Sequence, residues 1–254
     1  MEAELFDAMH AHAERHWWFR GRQKVALTLI ERFYNKSGGR VLDLGCGTGV
    51  NLPALARFGE VWGCDPSAQA LAFCKQRHRG RLDEIWLPER VPYEDESFDL
   101  IVMLDVLEHV EDDKGAAERI ARLLKPGGLL VLTVPALRWL WSKHDTAHHH
   151  FRRYHRPDLR ARLEGVGLAT RKLSYFNSFL LPAMALARVL KLEGGGGHNL
   201  ESGTRGPAAW LLGKVFASER HWLKFARFPL GGSLIAVCER PADLKLEPWK
   251  STSK

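Results

Sequence analysis

Apolar Val41, Leu42 and Leu44 run straight into glycines at 45, 47 and 49, in the stretch VLDLGCGTG. Three glycines at this spacing remove every Cβ from one side of the turn, so the backbone can approach a ligand closely. Asp65 follows twenty residues after Gly45, at the end of the next apolar run. A carboxylate placed there can accept both hydroxyls of a ribose. Together they predict a nucleoside site at the carboxyl edge of a parallel sheet. Dinucleotide sites use G-x-G-x-x-G and set a pyrophosphate on a helix N-terminus. Here the third glycine comes one residue early and Asp43 stands two before the first. A carboxylate at Asp43 repels a pyrophosphate but holds a cationic amino group, directly or through water.

Strand-like and helical segments alternate around this loop. Residues 40–44, 60–64, 82–87, 98–104 and 129–134 are predicted as strands, and FDLIVML at 98–104 is the unbroken apolar run of a strand covered on both faces. Helices are predicted at 50–58 and 66–77. A third, EDDKGAAERIARLL, carries Ala116, Ala117, Ile120, Leu123 and Leu124 on one stripe and acids in its first turn, and KPGG at 125–128 stops it. A helix near 157–164 and strands at 169–175 and 232–238 complete the pattern. The expected fold class is α/β, a doubly wound, mostly parallel seven-stranded sheet made of right-handed βαβ crossovers. Residues 2–35 read as two helices broken at HWWFRGR, residues 16–22. Residues 1–37 are assigned as an N-terminal helical lid, and 38–176 with 232–240 as the core. Residues 177–231, which include GGGG at 194–197, are assigned as a helical insertion before the last strand.

An apolar share of 45% with nine tryptophans excludes wholesale disorder. The net charge of +7 suits an anionic partner, or is ordinary solubility charge. Cys46, Cys64, Cys74 and Cys238 show no CxxC spacing and read as reduced thiols of a cytoplasmic protein. MEAELFDAMH lacks the basic-then-apolar pattern of a signal peptide. SFLLPAMALA, residues 178–187, falls short of the ~20 apolar residues a bilayer needs. The expected location is the cytoplasm, or the inner face of a membrane through peripheral contact by 177–231.

S-adenosylmethionine, a nucleoside with an amino-acid tail and no phosphate, meets the demands of the loop. Over about residues 38–170 the chain resembles the class I S-adenosylmethionine-dependent methyltransferases, in the manner of bacterial small-molecule enzymes. The resemblance rests on VLDLGCGTG, GCDPS around Asp65, ESFDLIVMLDVLEHV and the KPGG turn. It implies a Rossmann-like methyltransferase fold with S-adenosyl-L-methionine as cofactor and S-adenosyl-L-homocysteine as product. By position, Asp43, Gly45, Cys46, Gly47 and Gly49 line the methionine and ribose side. Asp65, followed by Pro66, binds the ribose, and Leu104 and Asp105 flank the sulfonium. Such enzymes often hold the adenine amino group with an acid after the third strand. Aligning Val91-Pro92-Tyr93 with their Leu-Pro-Phe puts Leu87 there, and Glu89 or backbone near Trp86 is the substitute.

Ligands of an open α/β sheet bind outside the carboxyl ends of its strands. DTAHHHFRRYHR, residues 145–156, lies just past the fifth strand and carries four histidines and three arginines. A helix starting at Asp105 would set Asp105, Glu108 and His109 on one face. Histidine, with an ordinary pKa of about 6.5, can take a proton from an attacking hydroxyl. The catalytic candidates are therefore His109, His149, His150 and Arg153, with Arg152 and Arg153 also suited to an acidic or phosphate group on the acceptor. A divalent metal on Asp105, Glu108, His109 and one of His148 to His150 is the sharper alternative. It is similar to the E-x-x-E-H arrangement of ubiquinone-pathway and small-RNA 2′-O-methyltransferases, but no spacing defines a fourth ligand and no metal is assigned. Trp17, Trp18 and Phe19 form a lid over the cofactor or pack in the core. SYFNSFLLPAMALARVLKL and AAWLLGKVFASERHWLKFARF mix aliphatic and aromatic residues with Lys and Arg, as helices on a membrane, in an oily pocket or in a homodimer do.

The expected activity is in-line methyl transfer to an oxygen of a small-molecule or lipid-linked acceptor, driven by positioning and desolvation. The alternatives are a metal-assisted RNA 2′-O-methyltransferase and a non-catalytic cofactor-binding subunit. Nucleic acid is disfavoured, because the basic residues interleave with aliphatics rather than with stacking aromatics.

Overall fold

Every residue of β4 (Phe98–Leu104) is buried, as an apolar run covered on both faces must be. In the computed structural model, which describes residues 13–36, 38–190, 206–244 and 246, this strand is the middle of seven. The others are β1 (Gly39–Leu44), β2 (Gly59–Asp65), β3 (Leu82–Glu84), β5 (Leu124–Pro135), β6 (Ala169–Phe176) and β7 (Ser233–Glu239). Their order is β3-β2-β1-β4-β5-β7-β6. The first five run parallel, and β7 lies antiparallel between β5 and β6. The expected α/β, mostly parallel seven-stranded sheet is borne out, with β7 making it mixed. Winding reverses between β1 and β4, so their carboxyl ends flank the crevice where such sheets bind ligands.

The helices are α1 (Trp17–Phe33), α2 (Leu52–Leu55), α3 (Ala68–Arg77), α4 (Asp113–Leu123), α5 (Lys143–Ala147), α6 (Arg156–Glu164), α7 (Leu181–Val189) and α8 (Gly206–Leu223). Several differ from the sequence expectation. The helix expected at 50–58 is one four-residue turn followed by a 3-10 turn, Ala56–Phe58. β3 stops at Glu84 because Trp86 pairs with Arg90 in a tight turn instead of continuing the ladder. KPGG does not precede β5 but lies within it: Leu124 already pairs with Phe98, and a register shift absorbs the glycines.

HWWFRGR opens α1 rather than following it. His16 caps α1, its Nδ1 accepting the Trp18 N–H at 3.2 Å, and the rest of the motif forms the first turns. The helix expected before it, and GGGG at 194–197, lie outside the described residues. Trp18 stacks on Phe216 of α8 at 5.1 Å, and Phe216 stacks in turn on Phe176 of β6 at 5.8 Å. Gly21 permits this approach, since a Cβ there would lie 2.2 Å from Phe216 Cδ1. Replacing Gly21 by Val is therefore expected to push α8 off α1, a strain of about 1–3 kcal/mol that lowers Tm by roughly 5 °C. Calorimetry checks it; an unchanged Tm would show that α8 does not sit on this face. Among the described residues no helix is long and apolar enough to cross a membrane.

Candidate active site

The turn after β1 is stitched to β2: the N–H groups of Gly45 and Cys46 both donate to the Cys64 carbonyl, at 2.8 and 2.9 Å. Gly45 takes a left-handed φ of 77° and Gly47 one of 53°. A Cβ on Gly45 would strike Val106, whereas one on Gly47 would meet nothing within 4 Å. The loop is thus packed on one side and open on the other, as a cradle for a ligand must be. Cys74 of α3 braces it from behind, donating its thiol to the Gly47 carbonyl at 3.0 Å. Cys46 is buried beside it.

Asp65, at the end of β2, accepts the Gly47 N–H on Oδ2 and the Ser67 N–H on Oδ1, both at 2.9 Å. Burial raises its pKa, and these two donors oppose the rise. Asp43 is buried, and its Oδ2 has no hydrogen-bond partner among the described residues. Burial pushes its carboxyl up to about 7, against the pull of Arg22 and Asn51. A cationic amino group brought into the crevice would satisfy that orphaned oxygen. Pro66 is exposed beside Asp65. Glu89 is exposed on the turn closed by Trp86 and Arg90, and Leu87 before it is half-buried.

Asp105 departs from the expectation of one helical face with Glu108 and His109. Its φ is 56°, and a 3-10 turn starts only at Leu107. Its carboxylate is taken up at both oxygens, by Arg22 at 2.5 Å and by the Thr133 hydroxyl at 2.7 Å. Arg22 also donates to the Leu104 carbonyl at 3.2 Å. α1 meets the loop again where Gln23 donates to the Val50 carbonyl and to Asn51, each at 3.2 Å. Sequence reasoning missed this use of Arg22 and Gln23. The motif singled out Arg22, but its partner lies 83 residues away.

On the acceptor side, residues 145–156 fold around Asp145, which is fully buried. Its oxygens accept from Ser142 N–H at 2.8 Å, from Arg153 at 2.7 and 2.9 Å, and from His150 Nδ1 at 2.9 Å. Burial alone would raise its pKa, but His150 and Arg153 outweigh burial and hold the carboxyl below the usual carboxylate range. An ionised carboxylate only accepts, so Nδ1 of His150 carries a proton. Arg153, expected in catalysis, is instead a buried strut that also donates to the Ala136 carbonyl at 3.0 Å. Arg152, expected to meet the acceptor, is tied to Asp113 at 2.9 Å and to the Glu111 carbonyl at 2.7 Å. His149 is exposed at a left-handed turn position, outside the group described next.

The Phe151 N–H donates to the Glu108 carbonyl at 2.8 Å and joins this stretch to the end of β4. His109 and His150 then meet edge to face, ring centres 4.6 Å apart. Potential ligand atoms of Glu108, His109 and His150 all lie within 4.8 Å of one another. Glu108 is fully buried and neither carboxyl oxygen has a partner among the described residues. Burial, helped by the charge of Asp105, drives its pKa well up. Burial and then His150 push His109 down to about 4. The expectation of an ordinary histidine pKa is corrected: His109 is neutral at pH 7 and a weak proton acceptor. Two orphaned carboxylate oxygens facing two imidazoles fit a divalent cation that accepts mixed oxygen and nitrogen ligands. Asp105, expected in that set, is committed elsewhere.

Relatives share parts of the chain. Ubiquinone biosynthesis O-methyltransferase of Bradyrhizobium sp. (strain ORS 278) is 36% identical over 107 residues, 41% of this chain and 42% of that protein. The enzyme of the same name from Xanthomonas oryzae pv. oryzae (strain PXO99A) is 33% identical over 147 residues, 52% of this chain and 60% of that protein. The chain thus spans less than two thirds of these relatives' length. A chain of the complex between the Haloferax volcanii Trm112 methyltransferase activator and a methyltransferase shares the fold. It has a TM-score of 0.63 and 22% identity, over 93% of this chain and 97% of that one. Residues 17–173 match the family model described as a methyltransferase domain. The chain belongs to that family, within the class I S-adenosylmethionine-dependent methyltransferases.

Proposed function

We propose that the protein transfers a methyl group from S-adenosylmethionine to an oxygen of a small, hydrophobic acceptor. The observation that carries this is the group Glu108, His109 and His150, assembled beside the end of β4, just past Val106, which packs against Gly45 of the glycine loop. The relatives' names, O-methyltransferases, support oxygen as the acceptor atom. When bound, the cofactor supplies an electrophilic methyl group on a sulfonium. Asp43 would hold its amino group and Asp65 its ribose, which would position it for transfer. Arg22 fixes Asp105 and thereby the end of β4. His109, neutral at working pH, accepts a hydrogen bond from the acceptor hydroxyl and orients it for attack. Asp145 orients His150 behind it. Trp139, Trp141 and Phe151 stand exposed on either side of Asp145 in the chain, a rim suited to an aromatic or lipid-linked acceptor.

Methyl transfer from labelled donor to a panel of phenolic and lipid-linked hydroxyls tests the proposal. His109→Ala is expected to lower kcat by about 10²- to 10⁴-fold while S-adenosylhomocysteine binding stays unchanged. A fully active variant would remove the role assigned to this group. The acid limb of the wild-type rate profile should fall near about 4 rather than at the usual histidine pKa, because burial holds His109 neutral.

A second reading adds a divalent cation, favoured by the two carboxyl oxygens of Glu108 that have no partner among the described residues. Glu108, His109 and His150 would hold it, and it would ease deprotonation of a hydroxyl bound to it. Activity lost in EDTA and restored by manganese or magnesium supports this reading; full activity in EDTA rejects it.

A further inference from the structure

Arg20 and Lys24 lie one turn apart on the outer face of α1, while Arg22 and Gln23 turn away toward β4 and the cofactor loop. Against that outer face α8 brings Trp210 and Lys214, and a cavity of about 270 Å³ opens between the helices. Its lining holds Arg15, Arg20, Lys24 and Lys214 together with Trp17 and Trp210, and no acid among the described residues. Gly21 and Gly213 line it as well.

Several partly buried cations elsewhere are paired: Arg22 with Asp105, Arg152 with Asp113, Arg153 with Asp145. None of the four cations forms an ion pair with a described residue. Half-buried Lys24 is held below the usual lysine range by burial and then by the charges of Arg20, Arg220 and Lys214, all of one sign. Like charges gathered at a concave, partly desolvated surface raise the local concentration of anions. A bound anion would offset the repulsion that the fold leaves standing.

We propose that this cavity is a binding site for a phosphate-bearing anion. Arginines offer a planar fork of donors and lysines a point charge, both suited to phosphate oxygens. The volume is below the ~300–1,000 Å³ of sites that enclose drug-sized ligands, so a charged head enters and any apolar remainder stays outside. Trp210, 64% exposed, stands at the lining, and Leu211 and Trp222 follow it along the exposed side of α8. Interfacial helices mix charge with exposed aromatics in this way. A phospholipid headgroup and a soluble diphosphate share the required chemistry.

The test uses the full chain, inorganic pyrophosphate and vesicles of phosphatidylcholine with or without phosphatidylglycerol. Three proteins are compared: wild type, Lys24→Gln with Lys214→Gln, and a control of equal charge, Lys75→Gln with Arg79→Gln, both exposed and outside the cavity's lining. Pyrophosphate is expected to raise the Tm of wild type and control by mass action but not that of the cavity variant. Without anion the cavity variant should melt at or above the wild-type temperature, because removing two cations relieves repulsion. S-adenosylhomocysteine binding should be the same in all three. Phosphatidylglycerol vesicles should bind the cavity variant at least about tenfold more weakly than wild type. Vesicle binding that pyrophosphate displaces identifies a lipid headgroup; pyrophosphate binding without vesicle binding identifies a soluble ligand. Equal responses in all three proteins, or no response to either probe, would overturn the proposal.

Discussion

Replacing Asp65 by Ala is expected to weaken S-adenosylhomocysteine binding by at least about 10²-fold, since hydrogen bonds to a charged group contribute about 1.5–3 kcal/mol each and the ribose offers two. The same carboxylate anchors the Gly47 and Ser67 N–H groups at 2.9 Å, so its loss also loosens the loop that cups the nucleoside. Asp65→Asn keeps an acceptor for one of these donors and should lose less. The protein should still fold, because Asp65 is a buried carboxylate whose charged form burial already disfavours. Isothermal calorimetry reads the result, with Tm as the folding control. Heat from NAD but none from S-adenosylhomocysteine, in the wild type, would reassign the loop to another nucleotide.

Asp145→Ala is expected to act on stability first. It removes the partner of a buried Arg153 and of His150, and breaking such a buried pair costs about 3–5 kcal/mol. For a chain of this size that is a fall in Tm of roughly 10 °C. Asp145→Asn should be milder, since one acceptor survives. The pH dependence has a definite sign. Asp145 titrates lower in the folded protein than unfolded, so its stabilisation is complete above its unfolded pKa of about 4. It is lost as the pH falls through the still lower folded value. The gap between wild type and variant should thus be constant through neutral pH and narrow only in strong acid. A gap that closes on the alkaline side would contradict the assignment. Methyl transfer should fall as well, because His150 loses the contact that sets its tautomer beside His109.

The residues VLDLGCGTG and Asp65 were legible without a structure because their chemistry is local: a turn after a buried strand needs its glycines within a few residues. The FDLIVML run foretold the central strand for the same reason, since burial on both faces leaves no polar alternation. Tertiary structure alone decided that Asp105 serves Arg22, that Arg153 is a strut, and that the Glu108 carboxyl, with no hydrogen-bond partner among the described residues, sits beside two histidines. These depend on segments far apart in the chain that meet at the sheet edge, where a left-handed residue at Asp105 and a 3-10 turn after it replace the expected helix. Charge type and spacing announce that a polar cluster exists. Which member faces a ligand and which is spent on its neighbours follows from distance and burial, quantities that only the packed fold defines.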